Sequence, residues 1–288
     1  MRIAVITGGD SLEKEIALKG AKAVEESLKR LGYDVDVLEI DKDLCFKLKQ
    51  INPEKVFIIA HGAYGEDGRV QGLLDILGIP YIGSTTKASA ICMDKDFSKQ
   101  IFEQNNIKTP KWKAYKPKDA IDWSIFPCIA KPASAGSSFG LFKVEDDKSL
   151  KEAAHNIFKI DDKLIVEEFI EGKDMTVGYF KGFILEPIEI IPKKGIYDFE
   201  SKYTKGMSEY IFVEEEGVAK KLKEIASKLV DIFELKDMAR IDFRVKGEDV
   251  YTLEINTIPG LTELSLLPMA LKKAGISFDK MVEMLVNG

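Results

Sequence analysis

Cysteine and histidine are scarce in this sequence, which has three cysteines and two histidines among 288 residues. Cys45, Cys92 and Cys128 are far apart, as are His61 and His155, so they match neither a zinc-ligand spacing nor a disulfide framework. Any metal ion that the chain binds is therefore expected to have oxygen ligands, which suit magnesium and similar hard cations.

A basic excess, a long apolar run and a secretion signal are also lacking. The formal net charge is −6, with 42 Lys and Arg against 48 Asp and Glu, so the chain is not expected to bind nucleic acid. No apolar run approaches the ~20 residues that span a bilayer. The N-terminus, "MRIAVITGGD", begins directly with a strand pattern and lacks the longer apolar region of a signal peptide. We therefore expect a cytoplasmic protein without a membrane partner.

The order of apolar patterns divides the chain into three segments. Residues 1–92 alternate short strands with helices, which predicts βαβ units and a parallel sheet. Residues 93–176 begin with a helix and continue with short strands, which predicts a central antiparallel module. Residues 177–288 combine a strand "FILEPIEII", a polar loop over 192–210, a long amphipathic helix, and the strands "MARIDFRV" and "VYTLEI". The predicted fold is of the α/β (α+β) class.

The last two predicted strands carry polar side chains where a core strand is expected to be apolar. Glu254 and Asn256 are two residues apart and share one face of "VYTLEIN", and Arg240 and Asp242 do the same on "MARIDFRV". If the strands form a hairpin through the loop 246–249, the two carboxylates and the amide form a cluster of oxygen ligands for Mg²⁺. A structural ion pair is the alternative interpretation, which four polar side chains on two core strands make the weaker one.

Phosphate-binding groups are expected near such a metal site. The sequence has no G-x-x-x-x-G-K-[ST] motif, so it is not a P-loop protein. The stretch "AKPASAGSSFG" places Lys131 at the end of an apolar strand, before a loop of small residues that can close its N–H groups over phosphates. Lys95, at the start of a predicted helix, is a second candidate cation. Each signal alone is weak, because such loops are often plain hairpin turns and such lysines are often solvated.

Three further stretches have both a functional and an ordinary interpretation. "VEEFIEGKDMTV", with Glu167, Glu168 and Asp174, fits either adenine and ribose contacts at a hinge or an edge strand with an acidic face. His61 follows an apolar strand at the edge where α/β sheets bind ligands, but it is also typical of a loop-organising residue. Glu13 fits a simple helix-capping role.

Together these stretches resemble the ATP-grasp superfamily and, within it, the D-alanine–D-alanine ligases. The motifs that carry the resemblance span the chain in the family's order: "GGDSLEKE", "HGAYGEDGRVQG", "MDKDFSK", "KPASAGSSFG", "YDFESKY", "ARIDF" and "EINTIPGLTELSLLP". The resemblance implies an ATP-grasp fold with an N-terminal parallel-sheet domain, a central antiparallel subdomain and a C-terminal subdomain with the metal and substrate sites.

The resemblance also implies roles for individual residues toward ATP and metal. Two Mg²⁺ (or Mn²⁺) ions are implied at Asp242, Glu254 and Asn256. Phosphate contacts are implied for Lys95, Lys131 and the loop that contains Ser138. Adenine and ribose contacts are implied for Glu167, Phe169, Ile170 and Asp174. Lys202 is implied as a further nucleotide contact. This chain departs from the common family pattern at Ala135 in the phosphate loop, at Glu168 beside the adenine, and at Asp174, where glutamate is commoner.

A second set of residues is implied at the substrates. Glu13 resembles the family's acid that meets the first substrate's ammonium group, which replaces the capping interpretation. Ser137 and Tyr203 resemble the residues that link this acid to a mobile loop, and Arg240 and the amide of Gly260 resemble the oxyanion-stabilising groups. The remaining residues implied at the substrate site are His61, Ser265 and Leu266.

The activity implied is the ATP-dependent joining of two D-alanines for peptidoglycan precursor synthesis, through an acyl phosphate and in a homodimer. The loop 192–210 is expected to close as a lid over the acyl phosphate. Two alternatives are considered: a related ATP-grasp ligase, such as a D-alanine–D-lactate ligase, and a nucleotide-binding regulator without catalysis. The "SKY" sequence ending at Tyr203 favours the dipeptide-forming enzyme, since ester-forming members usually lack that tyrosine.

Overall fold

The structure, a computed structural model, describes residues 1–9, 14–193, 204, 206–263 and 265–288. Three sheets follow one another along this part of the chain. Three residues with predicted roles, Glu13, Lys202 and Tyr203, lie outside the described residues.

The first sheet is parallel, as predicted, with the strand order β2-β1-β3-β4. Its central strands are buried on both faces, which explains their continuous apolar sequences. The strands are β1 (Arg2–Thr7), β2 (Asp34–Glu39), β3 (Lys55–Ile59) and β4 (Tyr81–Ile82). The helices that connect them are α1 (Lys14–Arg30), α2 (Leu44–Ile51) and α3 (Arg69–Leu77).

The second sheet is antiparallel, with the order β5-β8-β6-β7. Two helices precede it, α4 (Thr86–Met93) and α5 (Lys95–Gln104), and α6 (Asp147–Ile157) packs on it. Asp94 caps α5 by accepting hydrogen bonds from the N–H groups of its first turn. The strands are β5 (Trp112–Tyr115), β6 (Cys128–Pro132), β7 (Phe142–Val144) and β8 (Leu164–Glu168).

The third sheet has the order β12-β11-β9-β13-β14, with β10 paired to β9. All of its pairings are antiparallel. The strands are β9 (Lys173–Phe180), β10 (Phe183–Ile184), β11 (Ile188–Pro192), β12 (Ser208–Phe212), β13 (Met238–Lys246) and β14 (Asp249–Asn256). The remaining helices are α7 (Glu216–Phe233), α8 (Leu266–Lys273) and α9 (Phe278–Asn287).

Some predicted elements are wrong in their bounds. The single strand predicted over "FILEPIEII" is divided into β10 and β11, because Pro187 has no N–H group to continue a ladder. The polar loop predicted over 192–210 is shorter, because Pro192 pairs with Ser208 and Tyr210 lies within β12. The sequence pattern also missed α4, which ends at the boundary predicted between residues 92 and 93.

The C-terminal helices return to the first sheet and join the two ends of the chain. Leu267 and Leu285 share one hydrophobic core with Val5 and Phe57 of the first sheet. Asp279 on α9 also pairs with Arg30 of α1, with 2.6 Å between Oδ1 of Asp279 and Nη2 of Arg30. This packing holds the third sheet beside the first, so that all three sheets surround a common central region. Among the helices of the described residues, none is long and apolar enough to cross a membrane.

Candidate functional site

Two adjoining clefts lie between the sheets. The first is lined by both apolar and polar residues, as small-molecule sites usually are. It lies between the second and third sheets, and it is lined by all of the described residues predicted to contact ATP: Lys95, Lys131, Ser138, Glu167, Phe169, Ile170 and Asp174. Asp242 and Glu254 also line it. The structure therefore brings these predicted nucleotide and metal residues to one place.

The polar faces of β13 and β14 coincide, as the sequence predicts. The two strands form an antiparallel hairpin in which Asp242 lies opposite Glu254 and Arg240 opposite Asn256. The Asp242 carboxylate contacts the Arg240 guanidinium, and its Oδ1 lies 2.7 Å from Oγ1 of Thr176, which donates to it. The Asn256 Oδ1 accepts a hydrogen bond of 3.0 Å from the Ile258 N–H, so its oxygen has a fixed direction.

This cluster fits a hard divalent cation. Its donor atoms are two carboxylates and an amide oxygen, the ligand types that Mg²⁺ prefers. Within the described ranges, no three His, Cys, Asp or Glu side chains converge as a complete metal site. Mg²⁺ usually takes its remaining ligands from water and from substrate phosphates. The cluster therefore suits a metal that arrives with a nucleotide rather than one held by protein ligands alone.

Cationic side chains surround the same carboxylates. Lys95 Nζ lies 3.3 Å from Oε2 of Glu254 and donates a hydrogen bond of 2.8 Å to the carbonyl of Ala135. Lys95 thus links the metal-type cluster to the small-residue loop that follows β6. In that loop Ser137 and Ser138 both have positive φ angles, +51° and +57°, a strained backbone for residues other than glycine. Successive amides in such conformations form a concave anion-binding surface.

A buried ion cluster lies beside the first cleft. Glu167 is 3% exposed, and its Oε1 accepts a hydrogen bond of 2.5 Å from Lys131. Lys99 is fully buried, and its Nζ lies 2.8 Å from Oε2 of Glu167, as an ion pair outside hydrogen-bonding geometry. The Lys99 Nζ donates its hydrogen bond to Oγ1 of Thr109 at 2.7 Å. Burial tends to raise the pKa of Glu167, but the charges of Lys131 and Lys99 lower it overall. Glu167 is thus an ionised group that holds Lys131 in place.

Lys99 is a residue that the sequence analysis missed. It lies one helical turn after Lys95 on α5, and its neighbours on that face include the buried Ser98 and Phe102. A lysine on the apolar stripe of an amphipathic helix was the available signal, because such a position needs a buried partner. Burial lowers the pKa of Lys99 to about 8, although the charge of Glu167 opposes the change.

This pKa predicts how stability depends on pH. Below pH 8 the Lys99 amine is protonated in both the folded and the unfolded chain, and its burial as a cation opposes folding. Between about pH 8 and 10.5 the unfolded chain holds this proton more tightly, so the free energy of unfolding rises with pH. Relative to Lys99→Met, the wild type should gain roughly 3 kcal/mol across this interval. Urea unfolding of both proteins at several pH values measures the gain, and parallel pH curves would contradict it.

The segment between β8 and β9 forms another wall of the first cleft. The Phe169 N–H donates to the carbonyl of Pro127 at 3.1 Å, and the Ile170 carbonyl accepts a hydrogen bond of 2.9 Å from Nε of Arg244. Glu168 accepts a hydrogen bond of 3.0 Å from the backbone N–H of Lys111. The segment is therefore held to both sheets by its backbone, while the Phe169 and Ile170 side chains line the cleft.

The second cleft lies between the first and third sheets, and it opens into the first cleft. Lys95, Ala135 and Glu254 line both clefts. The residues predicted at the substrates that line the second cleft are His61, Ser137, Arg240, Gly260, Ser265 and Leu266. Glu66, a buried acid that the sequence analysis did not single out, also lines it and accepts a hydrogen bond of 2.6 Å from the Gly62 N–H.

The turn before α8 brings residue 260 close to the side chain of Ser265. A Cβ atom there would lie 2.9 Å from Oγ of Ser265, closer than normal side-chain contacts allow. Ser265 itself precedes the first residue of α8 and accepts a hydrogen bond of 3.1 Å from the Thr262 N–H. The helix N-terminus that follows favours an anionic group in the second cleft. The predicted bridge from Ser137 to Tyr203 and Glu13 stays a prediction, because the last two lie outside the described residues.

Family models match both ends of the chain. The model described as "D-ala D-ala ligase C-terminus" matches residues 97–287, and "D-ala D-ala ligase N-terminus" matches residues 46–84. A D-alanine–D-alanine ligase of Aquifex aeolicus is 52% identical over 291 residues and is covered in full, as is this chain. A D-alanine–D-alanine ligase of Fusobacterium nucleatum is 40% identical, with 100% of this chain and 99% of the relative covered.

Solved structures agree in fold. A D-alanine–D-alanine ligase from Bacillus anthracis complexed with ATP has a TM-score of 0.87 and 30% identity, with 99% of this chain and 96% of that chain covered. A D-Ala:D-Ser ligase from Enterococcus faecalis has a TM-score of 0.84 and 28% identity, with 99% and 98% covered. The predicted ATP-grasp fold is confirmed by these similarities.

Proposed function

This chain belongs to the D-alanine–D-alanine ligase family, and on that premise we propose that it joins two D-alanines with ATP to make a cell-wall precursor. The observation that carries the proposal is the shared wall of the two clefts, where Lys95, Ala135 and Glu254 face both. A nucleotide in the first cleft would end its phosphates there, next to a carboxylate in the second cleft. This is the arrangement that transfer of a γ-phosphoryl group to a substrate acid requires.

In the first step a D-alanine carboxylate attacks the γ-phosphorus of ATP, which forms an acyl phosphate and releases ADP. We assign phosphate binding to Lys95, Lys131 and the loop that contains Ser138. Two Mg²⁺ ions would be held by Asp242, Glu254 and Asn256, and such ions neutralise charge on the transferred phosphoryl group. Lys202 is assigned to the nucleotide by resemblance alone.

In the second step the amine of the second D-alanine attacks the acyl carbon, and inorganic phosphate leaves. We assign stabilisation of the tetrahedral oxyanion to Arg240 and the Gly260 amide, which line the second cleft. The second substrate's carboxylate is assigned to Ser265 and Leu266 at the start of α8, and a substrate contact to His61. The roles of Glu13, Ser137 and Tyr203 in linking the lid to the first substrate belong to the same proposal.

Lys131→Ala is expected to weaken ATP binding much more than D-alanine binding. The lysine is 7% exposed and held by Glu167, so its ammonium group is fixed toward the cleft. A charge-assisted contact to phosphate contributes roughly 1.5–3 kcal/mol, or about one to two decades in affinity. Calorimetric titration with ATP measures the loss, and Lys113→Ala, an exposed lysine of the same sheet, serves as the control. Unchanged ATP affinity in Lys131→Ala would contradict the assignment.

The domain division, location and assembly complete the proposal. We propose units over 1–92, 93–172 and 173–288. The sequence placed the second boundary between residues 176 and 177, but β9 crosses that point. Within the described chain β9 pairs only with strands of the third sheet, so the boundary is moved to the start of β9. A cytoplasmic location follows from the need for ATP. A homodimer is proposed from the family alone.

An acceptor other than D-alanine is the alternative for the second substrate that a comparison supports. The similarity to a D-Ala:D-Ser ligase structure means that this fold accommodates acceptors other than D-alanine. A D-lactate acceptor is a further alternative within the superfamily. The non-catalytic regulator is disfavoured, because Asp242 lies opposite Glu254 with Arg240 on the same strand, as a catalyst requires.

The test is ADP release with a panel of D- and L-amino acids and D-lactate, with each product identified by mass. We expect ADP release that depends on D-alanine, with D-alanyl-D-alanine as the main product. Mixed D-alanyl-D-serine or D-alanyl-D-lactate as the main product would favour the alternative. ATP binding without D-alanine-dependent ADP release would overturn the enzymatic proposal.

A further inference from the structure

Arg244 is a third charged residue, after Arg240 and Asp242, on the face of β13 that carries the candidate metal ligand. It follows Asp242 by two residues and therefore continues the same alternation along the strand. In the pairing of β13 with β9 it lies directly opposite Asp174. Its side chain is 12% exposed and lines the first cleft. The sequence alone predicted no role for Arg244, although its spacing from Asp242 was visible there.

One guanidinium group contacts three points of the connection between the second and third sheets. Arg244 Nη1 lies 2.6 Å from Oδ2 of Asp174, and Nε donates a hydrogen bond of 2.9 Å to the carbonyl of Ile170. Its central carbon lies 5.6 Å from the centre of the Phe169 ring, within cation–π range. The connection it touches begins after β8 and ends in β9, so Arg244 fastens the segment that crosses from one wall of the cleft to the other.

We propose that Arg244 is a positioning residue that holds the segment 169–174 and presents the Asp174 carboxylate to the ribose hydroxyls of the bound nucleotide. The inference rests on the proposed function, since it requires the nucleotide to lie in the first cleft. It also accounts for the aspartate at this position. Aspartate is one methylene shorter than glutamate, and the cross-strand arginine fixes its carboxylate at the cleft wall.

The chemistry of the pair permits this role. A carboxylate has two oxygens with about four acceptor sites, so contact with an arginine does not prevent it from accepting a hydroxyl hydrogen. The planar guanidinium fork restricts the carboxylate's orientation in a way that a lysine ammonium does not. The positive charge of Arg244 also offsets the negative charge of Asp174. Without this offset, the carboxylate would repel the phosphates of an incoming nucleotide.

Discrimination between sugars provides the test, measured by calorimetry without turnover. ADP, 2′-deoxyADP and 3′-deoxyADP are titrated into the wild type, Arg244→Met, Arg244→Lys and Asp174→Asn. Lys246→Met is the matched control, because it removes a positive charge from the exposed end of the same strand. A hydrogen bond to a charged carboxylate corresponds to about tenfold or more in affinity, so the wild type should prefer ADP over at least one deoxy analogue by that factor.

The proposal expects Arg244→Met to lose most of this preference and to match Asp174→Asn, while Lys246→Met keeps it. Arg244→Lys should retain an intermediate preference, and it serves as the working variant if Arg244→Met does not fold. The KM for D-alanine should stay unchanged in Arg244→Met and in Arg244→Lys. A wild type without sugar preference, or Arg244 variants that bind all three nucleotides more weakly but with the wild-type ratio, would overturn the inference. These outcomes differ from failure of the proposed function, which would appear as no D-alanine-dependent ADP release in the wild type.

Discussion

Glu254→Gln is expected to lower kcat by roughly 10³-fold while the fold stays intact. The Glu254 side chain faces Asp242 across the β13–β14 hairpin and has Lys95 at 3.3 Å, so it lies where both clefts and the candidate metal ligands meet. An amide has nearly the same size but no charge, and it cannot supply the negative ligand that a divalent cation requires. Metal-dependent charge stabilisation contributes several kcal/mol to phosphoryl transfer, which sets the size of the loss.

The measurement is steady-state ADP and dipeptide formation with the purified variant across a range of Mg²⁺ concentrations. Glu248→Gln, at the exposed tip of the same hairpin, is the matched control and should retain wild-type activity. Thermal unfolding of both variants checks that the hairpin is intact. Wild-type turnover by Glu254→Gln at ordinary Mg²⁺ concentration would contradict the metal assignment.

Arg240→Met should lower dipeptide formation by about 10²- to 10³-fold, the usual loss for one oxyanion-stabilising group. Arg240 contacts Asp242 and lines the second cleft, so its guanidinium lies between the metal-type cluster and the substrate side. If it stabilises the tetrahedral intermediate, the acyl phosphate will form faster than it is consumed by the amine. Water then hydrolyses part of it, and the ratio of ADP to dipeptide should rise above one.

The ratio separates this role from a general weakening of the site. Arg244→Met changes the same kind of side chain four residues along the strand, and it should keep the ADP-to-dipeptide ratio at one even if its affinity for nucleotide falls. A ratio of one in Arg240→Met together with a loss below tenfold would contradict the oxyanion assignment.

The sequence was sufficient to predict which side chains share a face of each strand of the polar hairpin, but not the register between the two strands. Side chains alternate with a period of two, so the spacing of Arg240 and Asp242, and of Glu254 and Asn256, fixes which of them share a face. The pairing next to the loop, with Phe243 opposite Thr252, would by itself place Asp242 opposite Leu253. A bulge between Asp242 and Phe243 shifts the register, so that Asp242 lies opposite Glu254 instead, and the spacing of the residues did not show this shift.

The buried ion cluster could not be predicted in the same way. Lys99 lies on α5, Glu167 on β8 and Thr109 in the connection before β5, and these segments are brought together only by tertiary packing. Helical spacing shows that Lys99 falls on a buried face but does not identify its partner. The resemblance placed Glu167 at the adenine, whereas its contacts with Lys99 and Lys131 show a structural role beside that site as well.

Strand β12 was missed for a different physical reason. Its residues alternate between exposed and partly buried positions, and the sequence "SEYIF" follows a stretch rich in polar residues. Pairing with β11 stabilises it, and that pairing depends on a partner some twenty residues earlier in the chain. The split between β10 and β11 was predictable from Pro187, which a continuous central strand does not accommodate.

The central claim is that the D-alanine carboxylate becomes an acyl phosphate before the peptide bond forms. D-alanine labelled with ¹⁸O in its carboxylate tests this directly, since the attacking oxygen stays with phosphorus when phosphate leaves. The proposed mechanism predicts one labelled oxygen in each inorganic phosphate released, with a matching loss from the new peptide carbonyl. Unlabelled phosphate together with normal formation of D-alanyl-D-alanine would contradict it.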